Sequence, residues 1–389
     1  MPMHFDRWSY HNPVEIRFGA GRLSELSDLV AGRRALLVTT PGFTGRGLTA
    51  RAADLLGGEQ TIVFDRVQPN PDLLALERAG QRLIDRGAQI VVALGGGSAI
   101  DTGKVLSVLL ALGDPTLLRA HLRDGAPLPD AAPLPLVAVP TTAGTGSEVT
   151  PFATIWDHER GVKRSLSDAR LFARAALLDP ALTTSLPTDV TIASGLDALS
   201  QSFEAIWNVN ATPITSRFAL DAIAIVLDAL PPLLDESGSL ELRSRMMEAS
   251  LLAGLAISRT RTALAHSISY PITARFGVPH GLACSFTLPA LLEFNAALDD
   301  GRLAEIAGRV GLASLSALRY RLERLLAMLG VTRMLRRYIP SRAALLDLAP
   351  QMLTPGRSDN NLRPAGVEQV RAILAATDFC AMPALKSAI

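Results

Sequence analysis

The sequence predicts an α/β domain with a parallel sheet, followed by an all-helical domain. Short continuous apolar runs, such as residues 35–38 and 90–94, are typical of parallel strands that are covered on both faces. Helical patterns separate these runs in the first half, in the strand–helix–strand order of right-handed crossovers. In the second half the apolar spacing is helical throughout. We therefore expect a boundary near Pro187, with domains at 1–187 and 188–389.

The elements of the first half follow from local patterns. Six strands are predicted, at residues 14–18, 35–38, 61–64, 90–94, 136–139 and 176–179. Residues 72–86 and 99–111 have apolar residues at helical spacing, and Pro71 favours a helix start. Residues 153–156 and 163–167 flank a polar turn and predict a hairpin.

The second half is punctuated by proline and glycine, which end helices or mark turns. Pro271 is one of these predicted breaks. Eight helices are predicted, at residues 188–206, 213–230, 241–258, 260–270, 281–296, 315–329, 343–352 and 366–375.

Composition narrows the possible classes. The chain is 48% hydrophobic and 19% charged with a formal net charge of +1, which does not favour nucleic acid or an anionic membrane as a partner. The first 13 residues lack the apolar core of a signal peptide, and no apolar run is long enough to span a bilayer. Cys284 and Cys380 lie far apart, and a disulfide between them is not expected. We expect a cytoplasmic protein.

Two glycine-rich loops follow predicted neighbouring strands. The first holds Gly95, Gly96, Gly97 and Ser98 before a helix, where backbone N–H groups and the helix dipole favour a phosphate. The second is a Pro-Thr-Thr-Ala-Gly-Thr-Gly-Ser-Glu run over residues 140–148. Loops at the carboxyl ends of strands are where an open α/β sheet binds ligands, so together they predict a nucleotide site. A tight turn without ligand is the alternative for the first loop alone.

Several polar side chains are candidates for contacts to that nucleotide. Asp101 lies in the first turn of the helix, where it either accepts from a ribose hydroxyl or caps the helix. Lys163 either reaches a phosphate or ribose or is a solvated strand lysine. The remaining candidates are the hydroxyl residues of the second loop, Thr141, Thr142, Thr145 and Ser147.

A metal site is predicted in the second half. His266 is expected on a helix and His280 at a tight step after Pro279, so that a bend brings their imidazoles together. Asp197 and Gln201 are four residues apart and share a helix face. These oxygen and nitrogen donors form a plausible set with open positions, as in catalytic sites. An ordinary helix carboxylate remains the competing interpretation of Asp197.

These residues resemble the iron-containing (group III) alcohol dehydrogenase family over nearly the whole chain. The motifs that carry the resemblance are residues 95–101 with Lys104, 140–148, Asp179-Pro180, 195–198, 253–256, His266 and 279–281. The resemblance implies an architecture like that of dehydroquinate synthase, a bound NAD(P)H and a divalent metal, Fe²⁺ or Zn²⁺, in the cleft between the domains. It also implies a homodimer or larger homo-oligomer.

The chain departs from the family pattern at two positions. The family binds its metal through one aspartate and three histidines, which match Asp197, His266 and His280, whereas the remaining ligand position is Gln201. A neutral amide is a poorer ligand for iron or zinc than imidazole. A second family histidine, near the nicotinamide, is replaced by Tyr270, which can donate a proton but is a weak base.

Within the family, the chain resembles the phosphonoacetaldehyde reductase (hydroxyethylphosphonate dehydrogenase) branch in residues 150–154, 260–281 and 359–364. Arg261, five residues before His266, then becomes a candidate for binding a phosphonate. The other arginine candidates, for which a surface ion pair is the simpler interpretation, are Arg164, Arg259, Arg275 and Arg363.

The nucleotide preference is predicted from the end of the second strand. Many NAD-preferring relatives carry an acidic residue there, where it would repel a 2′-phosphate. Thr40 occupies this position, and Arg46 is nearby. We expect NADPH or dual use with NADH.

The resemblance predicts metal-assisted reduction of a small aldehyde to a primary alcohol, with phosphonoacetaldehyde as the expected substrate. His266 serves as a metal ligand, Tyr270 in the proton relay and Arg261 at the anionic group. Three alternatives stay open: a reductase of another anionic carbonyl compound such as maleylacetate, a cyclase like dehydroquinate synthase, and a non-catalytic nucleotide-binding protein.

Overall fold

The computed structural model describes residues 7–381, so the first six residues of the stretch tested for a signal peptide lie outside it. Two compact units are present. One comprises residues 12–185, and the other comprises residues from 186 onward together with the segment that ends at His11. Residues 7–11 therefore group with the helical unit and not with the sheet unit to which the sequence analysis assigned them. The Tyr10 hydroxyl donates to the Leu255 carbonyl within that unit at 3.1 Å.

The sheet unit contains the predicted parallel sheet and hairpin. Its strands are β1 (Glu15–Phe18), β2 (Ala35–Val38), β3 (Ile62–Phe64), β4 (Ile90–Gly95), β5 (Leu136–Pro140), β6 (Phe152–Asp157), β7 (Val162–Ser167) and β8 (Ala175–Leu178). Six of them form one sheet in the order β1-β8-β5-β4-β2-β3, with every pair parallel. β6 and β7 form a separate antiparallel pair. The predicted fold class is confirmed.

Helices cover both faces of the sheet. They are α1 (Leu26–Val30), α2 (Pro41–Gly45), α3 (Leu48–Leu55), α4 (Leu73–Leu83), α5 (Gly97–Leu112) and α6 (Thr116–Asp124). Alternate residues of β2, β4, β5 and β8 pack with α1 and α3 in one core, and α4, α5 and α6 form a second core with the hairpin. The predicted helices α4 and α5 are present, whereas α1, α2, α3 and α6 were not predicted.

The second unit is helical, as predicted. Its helices are α7 (Thr188–Ile206), α8 (Pro213–Ala229), α9 (Leu240–Thr260), α10 (Leu264–Phe276), α11 (His280–Ser285), α12 (Leu288–Ala296), α13 (Arg302–Arg309), α14 (Leu315–Met328), α15 (Val331–Leu335), α16 (Arg342–Leu346), α17 (Val367–Ala375) and α18 (Asp378–Ala381). Of these, α13, α15 and α18 were not predicted.

Three predicted helix boundaries were wrong. The helix predicted from residue 260 begins only at Leu264, and it continues through Pro271, which is buried within α10. The predicted helix 281–296 divides into α11 and α12. The helix predicted over 343–352 ends at Leu346, before a separate turn of 3₁₀ helix.

Within the described residues, no single helix is long and apolar enough to cross a membrane, although the bent pair α5 and α6 passes the same test of length and composition together.

Candidate functional site

The first glycine loop joins β4 to α5 and has little room for side chains. Gly95 has a φ of 156°, and a Cβ there would lie 2.6 Å from the Cβ of Ala99. Gly96 is the N-cap of α5 and Gly97 its first residue. The first-turn N–H groups of the helix thus begin at this loop, half-buried, where an anion is favoured.

The second glycine-rich loop packs directly on the first. β4 and β5 are neighbours, and the Thr141 amide donates to the Gly95 carbonyl at 3.1 Å. A Cβ on Gly96 would lie 3.1 Å from the Thr142 hydroxyl oxygen, and one on Gly97 would lie 2.7 Å from the Thr145 methyl group. The structure therefore brings together the two loops that the sequence analysis proposed for a nucleotide.

Asp101 and Ser147 brace these loops from within. One carboxylate oxygen of Asp101 accepts from the Ser147 hydroxyl, and the other accepts from the Thr154 amide of β6 at 2.8 Å. This bonding favours a structural role for Asp101 over contact with a ribose. The contact of Asp101 with β6 was not predicted.

Lys104 holds the segment after the second loop. Its ammonium group is fully buried and donates to the carbonyls of Ser147, Thr150 and Phe152 at 2.6, 2.7 and 2.8 Å. Burial lowers the pKa of Lys104 to about 8, and burial raises the pKa of the nearby Glu148 carboxyl to about 7. Lys104 therefore stabilises the loop and does not itself face a ligand.

The remaining nucleotide candidates lie at the edges of this region. Thr40 is the N-cap of α2, directly after β2. The Arg46 guanidinium lies 4.7 Å from the centre of the Phe43 ring, and that ring is 3.9 Å from where a Cβ on Gly95 would be. Phe43 therefore contacts Arg46 and also borders the first glycine loop. Lys163 lies on β7, paired with Trp156 in the hairpin.

The second unit contains a buried cluster of potential metal ligands. It consists of Asp197 on α7, His266 on α10, and His280 and Cys284 on α11, and one donor atom from each lies within 4.8 Å of the others. The centres of the two imidazole rings are 5.2 Å apart. The bend between α10 and α11 therefore brings the two histidines together. Cys284 was not among the predicted site residues.

Glu204 orients His266 from the other side. Its carboxylate is fully buried and accepts from the ring Nδ1 of His266 at 2.6 Å and from the His266 amide at 3.1 Å. With Nδ1 as donor, Nε2 points toward Asp197, whose Oδ1 lies 3.3 Å away. Burial opposes a charge on His266, but Cys284, Glu204 and Asp197 outweigh it and raise its pKa well above the ordinary value.

The residues present fit a divalent cation. Asp197 is 4% exposed, and its Oδ1 has no hydrogen-bond partner among the described residues despite its proximity to His266. Oδ1 of Asp197 and Nε2 of His266 form an ion pair while the imidazole is protonated, and once it is neutral both atoms have a lone pair to bind one cation. The donor set of carboxylate, imidazole and thiol suits zinc or iron.

Close packing of α11 on α7 places this cluster. Gly281 follows His280, and a Cβ there would lie 1.8 Å from the Ala193 carbonyl oxygen and 3.1 Å from the Cβ of Asp197. Only glycine allows the two helices to approach so closely. The Pro279-His-Gly motif is therefore a positioning element as well as the source of a ligand.

Gln201 and Tyr270 are the two positions that depart from the family pattern. Gln201 is buried one turn after Asp197 on α7. Tyr270 lies one turn after His266 on α10, and its ring stacks on His280 with centres 6.1 Å apart and an interplanar angle of 20°. The structure thus places Tyr270 against the cluster, half-buried.

Arg261 lies at the break between α9 and α10. Its φ is 61°, in the left-handed region that a residue with a side chain adopts only under constraint. Asn208 donates to its carbonyl at 3.3 Å and Thr260 at 2.9 Å, which holds this conformation. Arg261 is partly exposed and lies three positions before the start of α10, the helix that carries His266.

A second arginine, Arg357, is held beside Arg261. The Asn360 side-chain nitrogen donates to the Thr262 carbonyl at 2.9 Å and to the Gly356 carbonyl at 3.0 Å, so one amide ties together the residues next to the two arginines. Partial burial and the positive charge of Arg357 lower the pKa of Arg261 below its ordinary value. Arg357 was not predicted.

The other candidate arginines have structural partners or lie apart. Arg164 is 3.8 Å from Asp157, Arg259 donates to the Ser9 carbonyl at 3.3 Å, and Arg363 stacks on Phe294 at 4.2 Å. Arg275 is an exposed residue of the last turn of α10.

Two family profiles match the chain. Residues 13–180 match the family described as iron-containing alcohol dehydrogenase, and residues 191–377 match the C-terminal part of the same family. The chain belongs to the iron-containing alcohol dehydrogenase family. This confirms the resemblance derived from the motifs.

Individual relatives agree with this assignment. The chain is 35% identical to the phosphonoacetaldehyde reductase of Streptomyces viridochromogenes, over 84% of this chain and 81% of that protein. It is 30% identical to the sulfoacetaldehyde reductase of Bilophila wadsworthia, over 77% of each chain. The crystal structure of sulfoacetaldehyde reductase from Bifidobacterium kashiwanohense with NAD⁺ superposes with a TM-score of 0.87 at 31% identity, over 96% of this chain and 100% of that one.

The family relationship assigns a general activity. The relatives are named as alcohol dehydrogenases and aldehyde reductases, and this chain is an enzyme of that class. Family members bind NAD(H) and a divalent metal. The candidate regions for them in this chain are the glycine loops of one unit and the ligand cluster of the other.

Sequence reasoning missed three residues of this region. Glu204 is seven residues after Asp197 and so lies on the same face of α7. Cys284 is one turn after His280 on α11. These two spacings were available signals. Arg357 is far from Arg261 in sequence, and only the fold brings the two together.

Proposed function

We propose that this enzyme reduces a two-carbon aldehyde with a tetrahedral anionic head, phosphonoacetaldehyde above all, with NADPH or NADH as the hydride donor. The observation that carries this proposal is the Arg261–Arg357 pair, held by Asn360 near the helix that bears His266. The positive charge of Arg357 acts on Arg261, and two neighbouring guanidinium groups suit the oxygens of a tetrahedral anionic head. The two relatives named for phosphonoacetaldehyde and sulfoacetaldehyde support the same substrate class.

The chain's own residues would divide the work. Asp197, His266 and His280 would hold the divalent ion, and a bound ion would supply the Lewis acidity that polarises a carbonyl. Glu204 keeps Nδ1 of His266 protonated, so that Nε2 faces the ion site.

The proton and the anionic head are handled by other side chains. Tyr270, stacked on His280, is positioned to deliver a proton to the product oxygen. The Arg261 and Arg357 guanidinium groups would bind the head group through charge-assisted hydrogen bonds, which fixes the aldehyde end toward the cluster.

The nucleotide would be held by the sheet unit. The first-turn N–H groups after Gly96 and the hydroxyls of Thr142 and Thr145 form the phosphate cradle. The absence of an acidic side chain at Thr40, together with Arg46 on the Phe43 ring that borders Gly95, supports acceptance of a 2′-phosphate and therefore of NADPH.

A substrate panel tests the proposal. Purified enzyme is supplied with Zn²⁺ or Fe²⁺ and with NADPH or NADH, and loss of the reduced nicotinamide absorbance is followed with phosphonoacetaldehyde, sulfoacetaldehyde, maleylacetate and propanal. We expect the highest kcat/KM for the two anionic aldehydes. A preference for propanal or maleylacetate would contradict the substrate class, and no net nicotinamide consumption would favour the cyclase or the non-catalytic alternative.

Arginine variants connect the preference to the structure. R261Q and R357L should each raise KM for phosphonoacetaldehyde by about 10- to 100-fold, since a hydrogen bond to a charged group contributes about 1.5–3 kcal/mol. KM for propanal should stay the same. R217L, at an exposed arginine on α8, is the matched control. Equal effects on charged and neutral aldehydes would show that the pair acts only on the fold.

A further inference from the structure

Two of the four clustered donors come from one short helix. His280 is the first residue of α11 and Cys284 lies four positions later, so their side chains share one face. Cys284 Sγ lies 3.7 Å from both ring nitrogens of His280. The Ser269 hydroxyl is 3.4 Å from Nδ1 of His280, so Nε2 is the nitrogen that we assign to the ion.

The four donor atoms lie within 4.8 Å of one another, and two of their distances can be compared with the edges of a coordination tetrahedron. With bonds of about 2.0–2.1 Å to nitrogen or oxygen and about 2.3 Å to sulfur, tetrahedral angles give about 3.3 Å for an N···O edge and about 3.6 Å for an S···N edge. Oδ1 of Asp197 and Nε2 of His266 are 3.3 Å apart, which is the spacing of two ligands on a single ion. Sγ of Cys284 is 3.7 Å from Nε2 of His280 but equally far from Nδ1, so the His280 ring must turn for Nε2 and the sulfur to share an ion.

We propose that Cys284, as a thiolate, is a direct ligand of the divalent ion and takes the place that the family gives to a histidine at the position of Gln201. The ligand set is then Asp197, His266, His280 and Cys284. This inference rests on the metal-binding part of the proposed function and is independent of the substrate.

The chemistry of the site favours the thiolate over the amide. Thiolate is a strong ligand for zinc, whereas a neutral amide oxygen belongs to the harder donors that suit magnesium or calcium. Cys284 is fully buried, and Oδ1 of Asp197, which accepts no hydrogen bond among the described residues, is part of the same cluster. A cysteine with only a structural role is typically surrounded by apolar side chains, whereas Cys284 is surrounded by a carboxylate and two imidazoles.

Cobalt substitution tests the sulfur ligand directly. Metal-free full-length protein is titrated with Co²⁺ without oxygen, and the near-ultraviolet absorption is recorded. The wild-type protein should show a thiolate-to-cobalt charge-transfer band that saturates at one ion per chain. C284S should bind Co²⁺ without that band. Q201A and C380S, which changes the only other cysteine, should keep it.

Affinity provides a second measurement. Competition with a chromogenic chelator should show Zn²⁺ binding weakened by about 100-fold or more in C284S, since even an outer-shell change costs about 10- to 100-fold. Absence of the band in the wild-type protein would overturn the inference, and that spectrum does not depend on whether any variant folds. A band retained in C284S, or an affinity loss in Q201A alone, would also overturn it. Failure to reduce any aldehyde would leave these spectra unchanged and would count only against the proposed reaction.

Discussion

Replacing Glu204 by glutamine tests how the protein orients His266. The Glu204 carboxylate accepts two hydrogen bonds, from the His266 ring at 2.6 Å and from its amide at 3.1 Å. The amide of E204Q has one acceptor oxygen and one NH₂ group. The amide oxygen can accept only one of these bonds, and the NH₂ group takes the place of the other acceptor. Either a donor of His266 is then left without an acceptor, or the imidazole proton moves from Nδ1 to Nε2.

The two responses have distinguishable costs. A buried donor left without an acceptor costs about 1–3 kcal/mol of unfolding free energy. A proton on Nε2 removes the lone pair that faces the ion site, so metal affinity should fall by about 10- to 100-fold, the usual effect of losing an outer-shell partner. We therefore expect E204Q to be less stable without metal and to bind Zn²⁺ more weakly.

Urea unfolding of the metal-free protein and Zn²⁺ competition measure the two effects separately. E148Q is the matched control, because Glu148 is a buried glutamate of the sheet unit that lies outside the ligand cluster. Zn²⁺ affinity of E204Q equal to that of the wild-type protein would refute the argument that Glu204 sets the tautomer of His266.

Three further predictions concern the helix contact, the buried lysine and the nucleotide. G281A should abolish Zn²⁺ binding and lower stability, because its Cβ would lie 1.8 Å from the Ala193 oxygen. G308A, at a helix position with open space around it, should leave Zn²⁺ binding unchanged. Calorimetry of Zn²⁺ binding measures both variants. Burial lowers the pKa of Lys104 to about 8 from 10.5, so the unfolded chain binds more protons between these pH values and the unfolding free energy should rise with pH there by up to about 3 kcal/mol. Urea unfolding of K104M should lack that rise, and an unchanged pH profile would contradict the assignment. R46A should weaken NADPH binding about tenfold and leave NADH binding unchanged, as fluorescence titration would show; equal losses for both would contradict a role at the 2′-phosphate.

The sheet was predictable from sequence because parallel strands covered on both faces are continuous apolar runs. Residues 35–38, 90–95 and 136–140 are fully buried in the structure, and each is an unbroken apolar or glycine-ended run. The loops after these strands were predictable from their own residues, since glycines follow residues 90–95 and threonines follow residues 35–38 and 136–140. The short helices α1 and α3 were not predicted, because pieces of five and eight residues carry too little periodicity.

The breaks between helices in the helical unit were harder to predict from the sequence. The residue type of Arg261 does not predict a φ of 61°, because this conformation is held by the hydrogen bonds that Asn208 and Thr260 donate to its carbonyl. Proline, by contrast, predicts a helix break, but α10 continues through Pro271. Local propensity is a weak guide where tertiary contacts decide the backbone.

Within the site, histidines were found because they are rare and chemically suggestive, and the partners that position them were missed. Asp101 shows the same limit from the other side. Its place at a helix start next to glycines suggested either a ribose contact or a helix cap, whereas its carboxylate accepts from the Ser147 hydroxyl and the Thr154 amide, some 50 residues away in sequence. Pairings over such separations depend on the crossover topology and not on any local pattern.

α7 carries or contacts most of the residues that form the proposed metal centre. Asp197 and Glu204 lie on it seven residues apart, so a single helix holds a ligand and the partner that orients the ligand His266. The same helix receives α11 through Gly281, beside His280. Because one rigid helix sets both contacts, a small shift of α7 would move the carboxylate, the tautomer-setting group and the second imidazole together. The site is therefore expected to fail as a unit, and substitutions at different points of α7 should show strongly non-additive effects on metal affinity.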